Sequence, residues 1–544
     1  MEASAKRRKI EKSNTAEKNK ILYNKDGEPV IFKNITEVSV PSSSVEVISP
    51  DFHKLRDKCL ADGRLYEDPT FPALDSSVYF SKTPEVPFQW KRPKDICENP
   101  KLFIDGGSRF DIKQGDLGNC WFLAATANLT RTRKLFHQVV TKDQNFQTQY
   151  AGIFHFRFWQ YGKWVEVVVD DRLPTFDGKL VFMHSQRGNE FWSALMEKAY
   201  AKLHGSYESL EFGSTCEGME DLTGGVSEKI DLSIYRGSRR KLFKIMLAEH
   251  RHRSLMGCSL TADPDVVEAK CKDGLIRGHT YSVTKVKNCR INTLEGPSTR
   301  RLLRLRNPWG DESEWKGAWS DKSSQWEKVS DEVKNKMDLT FDEDGEFWMS
   351  IKEFCARYDE LEITTIFPTH NELGSDTSWE LKQFEGAWMK GLSAGGCYNF
   401  TDTFHINPQY LFTLSDQDDD DIGNDHDDDD DDDDIAHGKD SGSTSILISL
   451  LQKHRRSMKM HGKDFLYIGF AVYQIPDSNK TVHPLDKNFL SSHEEWHGSD
   501  FTNMRGISLR LDLPPGTYCI IPSTYDPDQE GEFLIRIISE KKIS

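Results

Sequence analysis

The chain of 544 residues contains no run of 18 apolar residues, so no transmembrane helix is expected. Its N-terminus, Met1-Glu2-Ala3-Ser4-Ala5-Lys6-Arg7-Arg8-Lys9, lacks the apolar stretch of a secretory signal. Ten cysteines are scattered without metal-ligand or disulfide-framework spacing, which suits a reducing, intracellular compartment. No internal repeat is apparent. Basic charge is missing where acid accumulates: residues 416–434 hold 14 aspartates and no lysine, arginine or glutamate. The formal net charge of −16 is therefore local, and the rest of the chain carries −2. No nucleic-acid partner is expected. The eight consecutive aspartates Asp427 to Asp434 repel one another and bury no apolar area. They read as a solvated loop, with weak calcium or basic-surface binding as the alternative.

What is there begins with Gln114-Gly115-Asp116-Leu117-Gly118-Asn119-Cys120-Trp121-Phe122-Leu123. A cysteine follows a Gly-rich turn and opens an apolar, alanine-rich run. A thiol at the first turn of a helix feels the positive end of the macrodipole, which favours the nucleophilic thiolate. A buried, inert cysteine is the bland alternative. A base is available: among 17 histidines, His279 lies in Arg277-Gly278-His279-Thr280-Tyr281-Ser282-Val283, where a β-branched run suggests a strand. Asn307 ends a second strand pattern, Arg304-Leu305-Arg306-Asn307-Pro308-Trp309-Gly310. The order is Cys, then His, then Asn. A papain-type site needs this set: a thiolate, an imidazolium, and an amide that orients the imidazole. The papain hallmark around the cysteine is only half kept, because Leu117 and Asn119 stand where a cysteine and a small residue are usual.

These motifs closely resemble the calpain family of calcium-dependent cysteine proteases. The resemblance extends to Leu65-Tyr66-Glu67-Asp68-Pro69, Trp90-Lys91-Arg92-Pro93, Asn189-Glu190-Phe191-Trp192 with Leu195 to Lys202, and Gly345-Glu346-Phe347-Trp348-Met349. It covers roughly residues 54 to 540. It implies an α+β fold, a two-lobed papain-like cysteine protease core followed by a C2-like antiparallel β-sandwich. The activity implied is a calcium-regulated intracellular endopeptidase making limited cuts in protein substrates through a thioester. The alternative is a non-catalytic calcium- or phospholipid-binding scaffold on the same fold. By the implied mechanism Cys120 is the nucleophile, His279 the acid and base, and Asn307 the orienting amide. Gln114 joins the Cys120 N–H in the oxyanion hole. Trp309 would shield the His–Asn contact or serve as plain core.

The cofactor implied is Ca2+. One site takes Asp111 and Glu190 side chains with backbone oxygens of Ile104 and Gly106. The other takes Glu314, Asp321 and Asp344 side chains with backbone oxygens of Asp342 and Glu346. Three residues, Asp311-Glu312-Ser313, separate Gly310 from Glu314 where the family typically has two, so Glu312 stays open as the ligand in place of Glu314.

The length suggests three or four domains. Residues 1–53 form a polar tail whose Lys6–Lys9 cluster is a solvated tail or a nuclear-localisation signal. Residues 54–231 form the Cys lobe, 232–366 the His/Asn lobe, and 367–544 the sandwich, with 416–434 as its acidic loop. Residues 121 to 140 fit a helix that Thr130 to Arg133 interrupts. Tyr281–Val286, Leu303/Leu305, Trp379-Glu380-Leu381, Ile446–Leu451, Phe465–Val472 and Glu532–Ile538 read as strands. The family often continues into a helical EF-hand domain; nothing of the kind follows Ile538, so an EF-hand-mediated small-subunit partner is not expected. An EF-like register from Asp418 fails at Ile422. A cytoplasmic location is expected, with recruitment to phospholipid through the sandwich as a further expectation.

Overall fold

The apolar run behind Cys120 folds as the helix Cys120–Leu129, and nine of its ten residues are buried. A helix apolar on every side belongs at the centre of a fold, and the alanines let neighbours approach closely. The computed structural model describes residues 45–47, 51–84, 87–104, 106–108, 111–263, 269–293, 296–307, 314–341, 345–366, 380–414, 444–476, 484–495, 497–539 and 543–544. The tail with Lys6–Lys9 and the acidic stretch 416–434 lie outside them.

The first lobe surrounds the Cys120 helix with Arg133–Val139, Trp192–His204 and Thr215–Thr223. The predicted break at 130–133 is present, since one helix ends at Leu129 and the next begins at Arg133. Gly218 sits where the helix Thr215–Thr223 crosses the Cys120 helix; a Cβ there would lie 2.8 Å from that of Ala125. On the other flank Phe122 stacks on Tyr200, ring centroids 4.2 Å apart. A hairpin, Ile153–Gln160 with Lys163–Asp170, closes the lobe through Tyr161 and Gly162, both at positive φ. Two left-handed residues are what a tight hairpin turn requires.

Part of the segment expected to be tail joins this lobe. Val45–Val47 pairs in parallel with Trp164–Glu166 of the hairpin. The helix Phe52–Ala61 is capped by Asp51 and stacks Phe52 on the His155 ring at 3.9 Å. His155 is buried between Glu166 at 2.9 Å and Asp143 at 3.0 Å. Burial opposes its charge, but the two carboxylates prevail and raise its pKa.

The second lobe is a six-stranded sheet in the order Glu346–Ser350, Gly296–Arg306, Thr280–Thr293, Leu255–Ser259, Glu360–Thr365, Val226–Asp231. The last strand pairs residue by residue with Glu360–Thr365, so the border between lobes lies near Gly224-Gly225 and not at 231. The helix Arg239–Arg251 covers one face of the sheet through Leu242, Phe243 and Met246.

The third unit is a sandwich of two four-stranded sheets. One runs Glu380–Trp388, Gly531–Ser539, Thr444–Gln452, Gly506–Leu513; the other Tyr410–Leu414, Gly516–Thr524, Ile468–Ile475, His497–Gly498. Its core holds Phe384, Trp388, Ile448, Phe470, Ile520 and Ile535. No described helix is long and apolar enough to cross a membrane.

Four arginines fasten the sandwich to the lobes. Arg456 grips Glu217 with two hydrogen bonds of 2.6 Å and lies 4.7 Å from the centroid of the Trp121 ring. Arg505 bonds Glu220 at 2.6 Å and also pairs with Asp221. Arg536 donates to the carbonyls of Gly225 and Gly224 at 2.6 and 2.7 Å. Arg510 reaches Glu228 at 3.1 Å and Glu249 at 3.0 Å. Burial alone would raise the Glu217 pKa, yet Arg456 holds it down at about 2. Removing one partner of a buried pair leaves the other charge uncompensated, which typically costs about 3–5 kcal/mol. Arg456→Ala should therefore lower unfolding stability by roughly 3 kcal/mol. Denaturant unfolding followed by tryptophan fluorescence checks this; a change below about 1 kcal/mol, the range of an exposed pair, would contradict it.

Candidate active site

Cys120 is the first residue of its helix and the only one of the helix's ten residues not buried. Its sulfur is thus placed where helix N–H groups converge, at the edge of the lobe. The loop before it is pinned on both sides. Gly115 lies so close to the strand opposite that a Cβ would stand 2.1 Å from the Val181 carbonyl, and Asp116 N–H donates to that carbonyl at 2.9 Å. The Gln114 amide donates to the Leu117 carbonyl at 3.0 Å, while its Oε1 is buried without a partner. One Nε2 hydrogen is therefore committed to the loop, and the second is the one left for an oxyanion.

Asn119 precedes the helix without capping it. Its Nδ2 instead donates to Glu197 Oε1 at 2.7 Å, and Met183 N–H donates to Oε2 at 2.9 Å. Glu197 sits in the middle of the buried helix Trp192–His204, and burial pushes its pKa up to about 7. Sequence reasoning took this segment as a motif and missed Glu197. No residue spacing in the sequence marked it, since its burial follows from the cover over the helix.

His279 is fully buried in the second lobe, and its Nε2 meets Asn307 Oδ1 at 2.8 Å. An amide oxygen only accepts, so Nε2 carries the proton there and Nδ1 is the nitrogen available for transfer. Two features set the pair. Gly278, at φ +68, turns the chain into the strand Thr280–Thr293 while its N–H holds the Leu260 carbonyl. Asn307 follows the last residue of Gly296–Arg306 and its N–H donates to the Gly345 carbonyl at 2.9 Å. Tyr281 packs edge-on against the imidazole at 5.4 Å.

The Cys120 helix crosses from its own lobe to this strand. Asn128 Nδ2 donates to the Met256 carbonyl at 3.2 Å and to Ser282 Oγ at 3.3 Å. Arg131 donates to the Val283 carbonyl at 2.9 Å. Ser282 and Val283 lie three and four residues after His279, so the far end of the Cys120 helix is joined to the strand that follows His279.

Residues 66–365 match the family model described as calpain family cysteine protease. Residues 384–538 match the one described as calpain large subunit, domain III. The chain belongs to the calpain family. Calpain-B of Drosophila melanogaster is 48% identical over 497 residues, covering 90% of this chain and 52% of that protein. Calpain-A of the same organism is 48% identical over 515 residues, covering 93% and 60%. The calpain-2 catalytic subunit of Bos taurus is 44% identical over 511 residues, covering 92% and 69%. The chain thus spans about half to 60% of the length of the two Drosophila relatives. The two-lobed core and the sandwich are the protease domain and C2-like domain III of this family.

The calpain calcium ligands inferred from sequence are partly brought together. Glu190 Oε1 accepts from the Ile104 N–H at 2.6 Å, and Oε2 from the Ser185 hydroxyl at 2.8 Å. Asp111 accepts from Ser108 N–H at 2.7 Å and lies against Glu190. Burial raises both carboxyl pKa values, and the adjacent Asp111 charge raises Glu190 further. Two buried acids in contact are a donor set that a hard divalent cation fits, since it would neutralise both. The Ile104 carbonyl accepts from Arg187 at 3.2 Å, a bond that uses one of its two lone pairs. Gly106, at φ +92, continues the same loop.

In the second lobe Glu314 Oε1 accepts from Gly345 N–H at 2.8 Å, which brings it to the loop that carries the other ligands. Glu346 is buried beside Arg304 at 3.5 Å, and Asp321 is half-buried near the start of Ser324–Lys328. Asp342, Asp344, Glu312 and Trp309 lie outside the described residues. Among the described residues no group of three or more His, Cys, Asp or Glu is placed to hold a metal.

One wall of the Cys120 loop was not foreseen. Phe212 N–H donates to the Gly118 carbonyl at 3.1 Å, with the Phe212 backbone at φ +58. A bulky residue in the left-handed region is an outlier that costs about 1–3 kcal/mol. The only signal in the sequence was an aromatic residue directly before Gly213-Ser214.

The Glu197 site gives a pH dependence. Its folded pKa of about 7 exceeds the ordinary 4.5, so the fold favours the neutral acid. The resulting stability is complete below about pH 4.5 and is lost as pH rises through about 7. Glu197→Gln should flatten the fall in unfolding midpoint between pH 5 and 8. An equally steep fall in the variant would assign the titration to another group.

Proposed function

We propose that this chain is a cysteine endopeptidase that cleaves internal peptide bonds of intracellular proteins under calcium control. The observation that carries the reading is the buried His279–Asn307 pair at 2.8 Å, tied through Ser282 and Asn128 to the helix that opens on Cys120. The Cys120 sulfur gives its proton to His279 Nδ1 and attacks the substrate carbonyl. Negative charge on the carbonyl oxygen is met by the Cys120 N–H and by the free hydrogen of Gln114 Nε2. Loss of one such donor typically costs about 2.7–4 kcal/mol of barrier. The tetrahedral species collapses, the C–N bond breaks, and the His279 proton passes to the leaving amine. A water, giving its proton back to His279, then attacks the thioester and releases the carboxylic acid and the thiol.

Asp111 and Glu190 would hold calcium in the Cys lobe, with Glu314 and Glu346 among its ligands in the other. The cation supplies positive charge there and takes no part in the chemistry. What it changes is the repulsion between two buried acids at the base of the loop that leads to Gln114 and Cys120. The sandwich adds a surface for phospholipid headgroups, which would bring the enzyme to a membrane.

Cys120→Ala should abolish cleavage of a denatured protein substrate while leaving the unfolding midpoint nearly unchanged, because only a few atoms are lost. Asp111→Ala or Glu190→Gln should shift the free-calcium midpoint of peptide hydrolysis upward by about tenfold or more, leaving the maximal rate within a few-fold. Full activity of the parent in excess chelator would refute calcium control. Calcium binding without hydrolysis would replace the peptidase with the non-catalytic scaffold.

A further inference from the structure

The two oxyanion donors belong to two separate pieces of the first lobe. The Cys120 N–H goes with its helix, whose first bonds run from Phe122 and Leu123 N–H to the Asn119 carbonyl at 2.9 and 3.3 Å. Gln114 goes with a loop laid against residues 181–184. There Lys113 and His184 exchange N–H bonds of 2.8 and 3.1 Å, and Asp116 N–H reaches the Val181 carbonyl at 2.9 Å. A developing oxyanion is stabilised by donors about 2.7–3.1 Å from the place its oxygen will occupy. The spacing between helix and loop therefore decides what the pair of donors contributes.

Glu197 joins the two pieces. It is 1% exposed in the middle of Trp192–His204. Its Oε1 takes the side-chain amide of Asn119, at the head of the Cys120 helix, at 2.7 Å. Its Oε2 takes Met183 N–H, on the segment that carries the Gln114 loop, at 2.9 Å. Among the described residues no cation faces this carboxyl. A buried acid without an ion pair costs stability that an apolar residue of similar size would not. Asn119 is spent in the same unusual way. It stands at the N-cap position, where its side chain would normally bond the helix, and makes no capping bond. We propose that Glu197 is a positioning residue for the reaction: it ties Asn119 to Met183 and so sets the distance between the Cys120 N–H and the Gln114 amide in the oxyanion hole.

This deepens the peptidase reading and rests on it, and the test separates the two. The full chain, Glu197→Gln, Asn119→Ala and the double variant are assayed with calcium on a quenched fluorescent peptide. Glutamine keeps the shape of Glu197 but offers one acceptor to two donors, so one bond is lost and no charge enters the core. In each single variant kcat should fall about tenfold or more while KM stays within about twofold, because the donors act on the transition state. Both substitutions break the same link, so the double variant should lose no more than the worse single one. Alkylation of Cys120 by iodoacetamide uses the thiolate and no oxyanion donor, and should keep the parent's rate in all three variants. An unchanged kcat in both single variants, multiplied losses in the double, or alkylation that slows in step with kcat would each overturn the role of Glu197. Should one single variant fail to fold, the kcat and alkylation rate of the other decide. A parent that is alkylated at Cys120 yet cleaves nothing would overturn the peptidase reading and this proposal together.

Discussion

The Cys120 helix is buried along nine of its ten residues, and elements of both lobes are packed against it. On one flank it meets the helix Trp192–His204 through the stacked Phe122 and Tyr200, on another the helix Thr215–Thr223 through Ala125 and Gly218. Its far end reaches the strand of His279 through Asn128 and Arg131. Such a helix has no freedom to tilt or slide without opening contacts in both lobes at once. Close packing is what turns the first residue of a short helix into a positioned thiol. The apolar energy is spread over many small contacts; the direction in which Cys120 points is set by a few polar ones, Asn119 on Glu197 and Gln114 on Leu117.

The reactive set could be read from sequence because each member occupies a local context that marks it. Cys120 starts an apolar run, His279 follows a glycine at a strand entrance, and Asn307 ends a strand before Pro308. Local pattern likewise separated the two helices at Thr130–Thr132 and found the strands of the sandwich. What escaped were arrangements made only when distant segments meet. Glu197 is a buried acid because the helix around it is covered on all sides, and no spacing of residues announces that. Arg456 lies in the basic run Lys453-His454-Arg455-Arg456, which reads as solvated surface; its burial depends on Glu217, 239 positions away. The lobe border was misplaced for a similar reason. Val226–Asp231 follows first-lobe helices in the chain but finds its hydrogen-bond partners in Glu360–Thr365.

The two calcium candidates show the same division. Only the family resemblance marked the carboxylates, which by themselves read as ordinary surface acids; the structure brings Asp111 to Glu190 and Glu314 to the Gly345 loop. Backbone oxygens carry no mark in a sequence, and the Ile104 carbonyl is turned toward Arg187. The direction of a main-chain oxygen depends on each local φ and ψ, which no residue type announces.

The arginine clasp also bears on modularity. A C-terminal sandwich with its own apolar core invites the view that it was added as a separable cassette. Its arginines contradict this. Glu217, Glu220 and Asp221 are all buried in the first lobe, and their positive partners Arg456 and Arg505 come from the sandwich. Cut away, the sandwich would leave three carboxylates on one short helix without the arginines that neutralise them, directly behind the Cys120 helix. Shuffling of this sandwich between proteins would have to carry its acidic socket with it, so socket and sandwich behave as one unit of inheritance even though the chain between them runs through the whole second lobe.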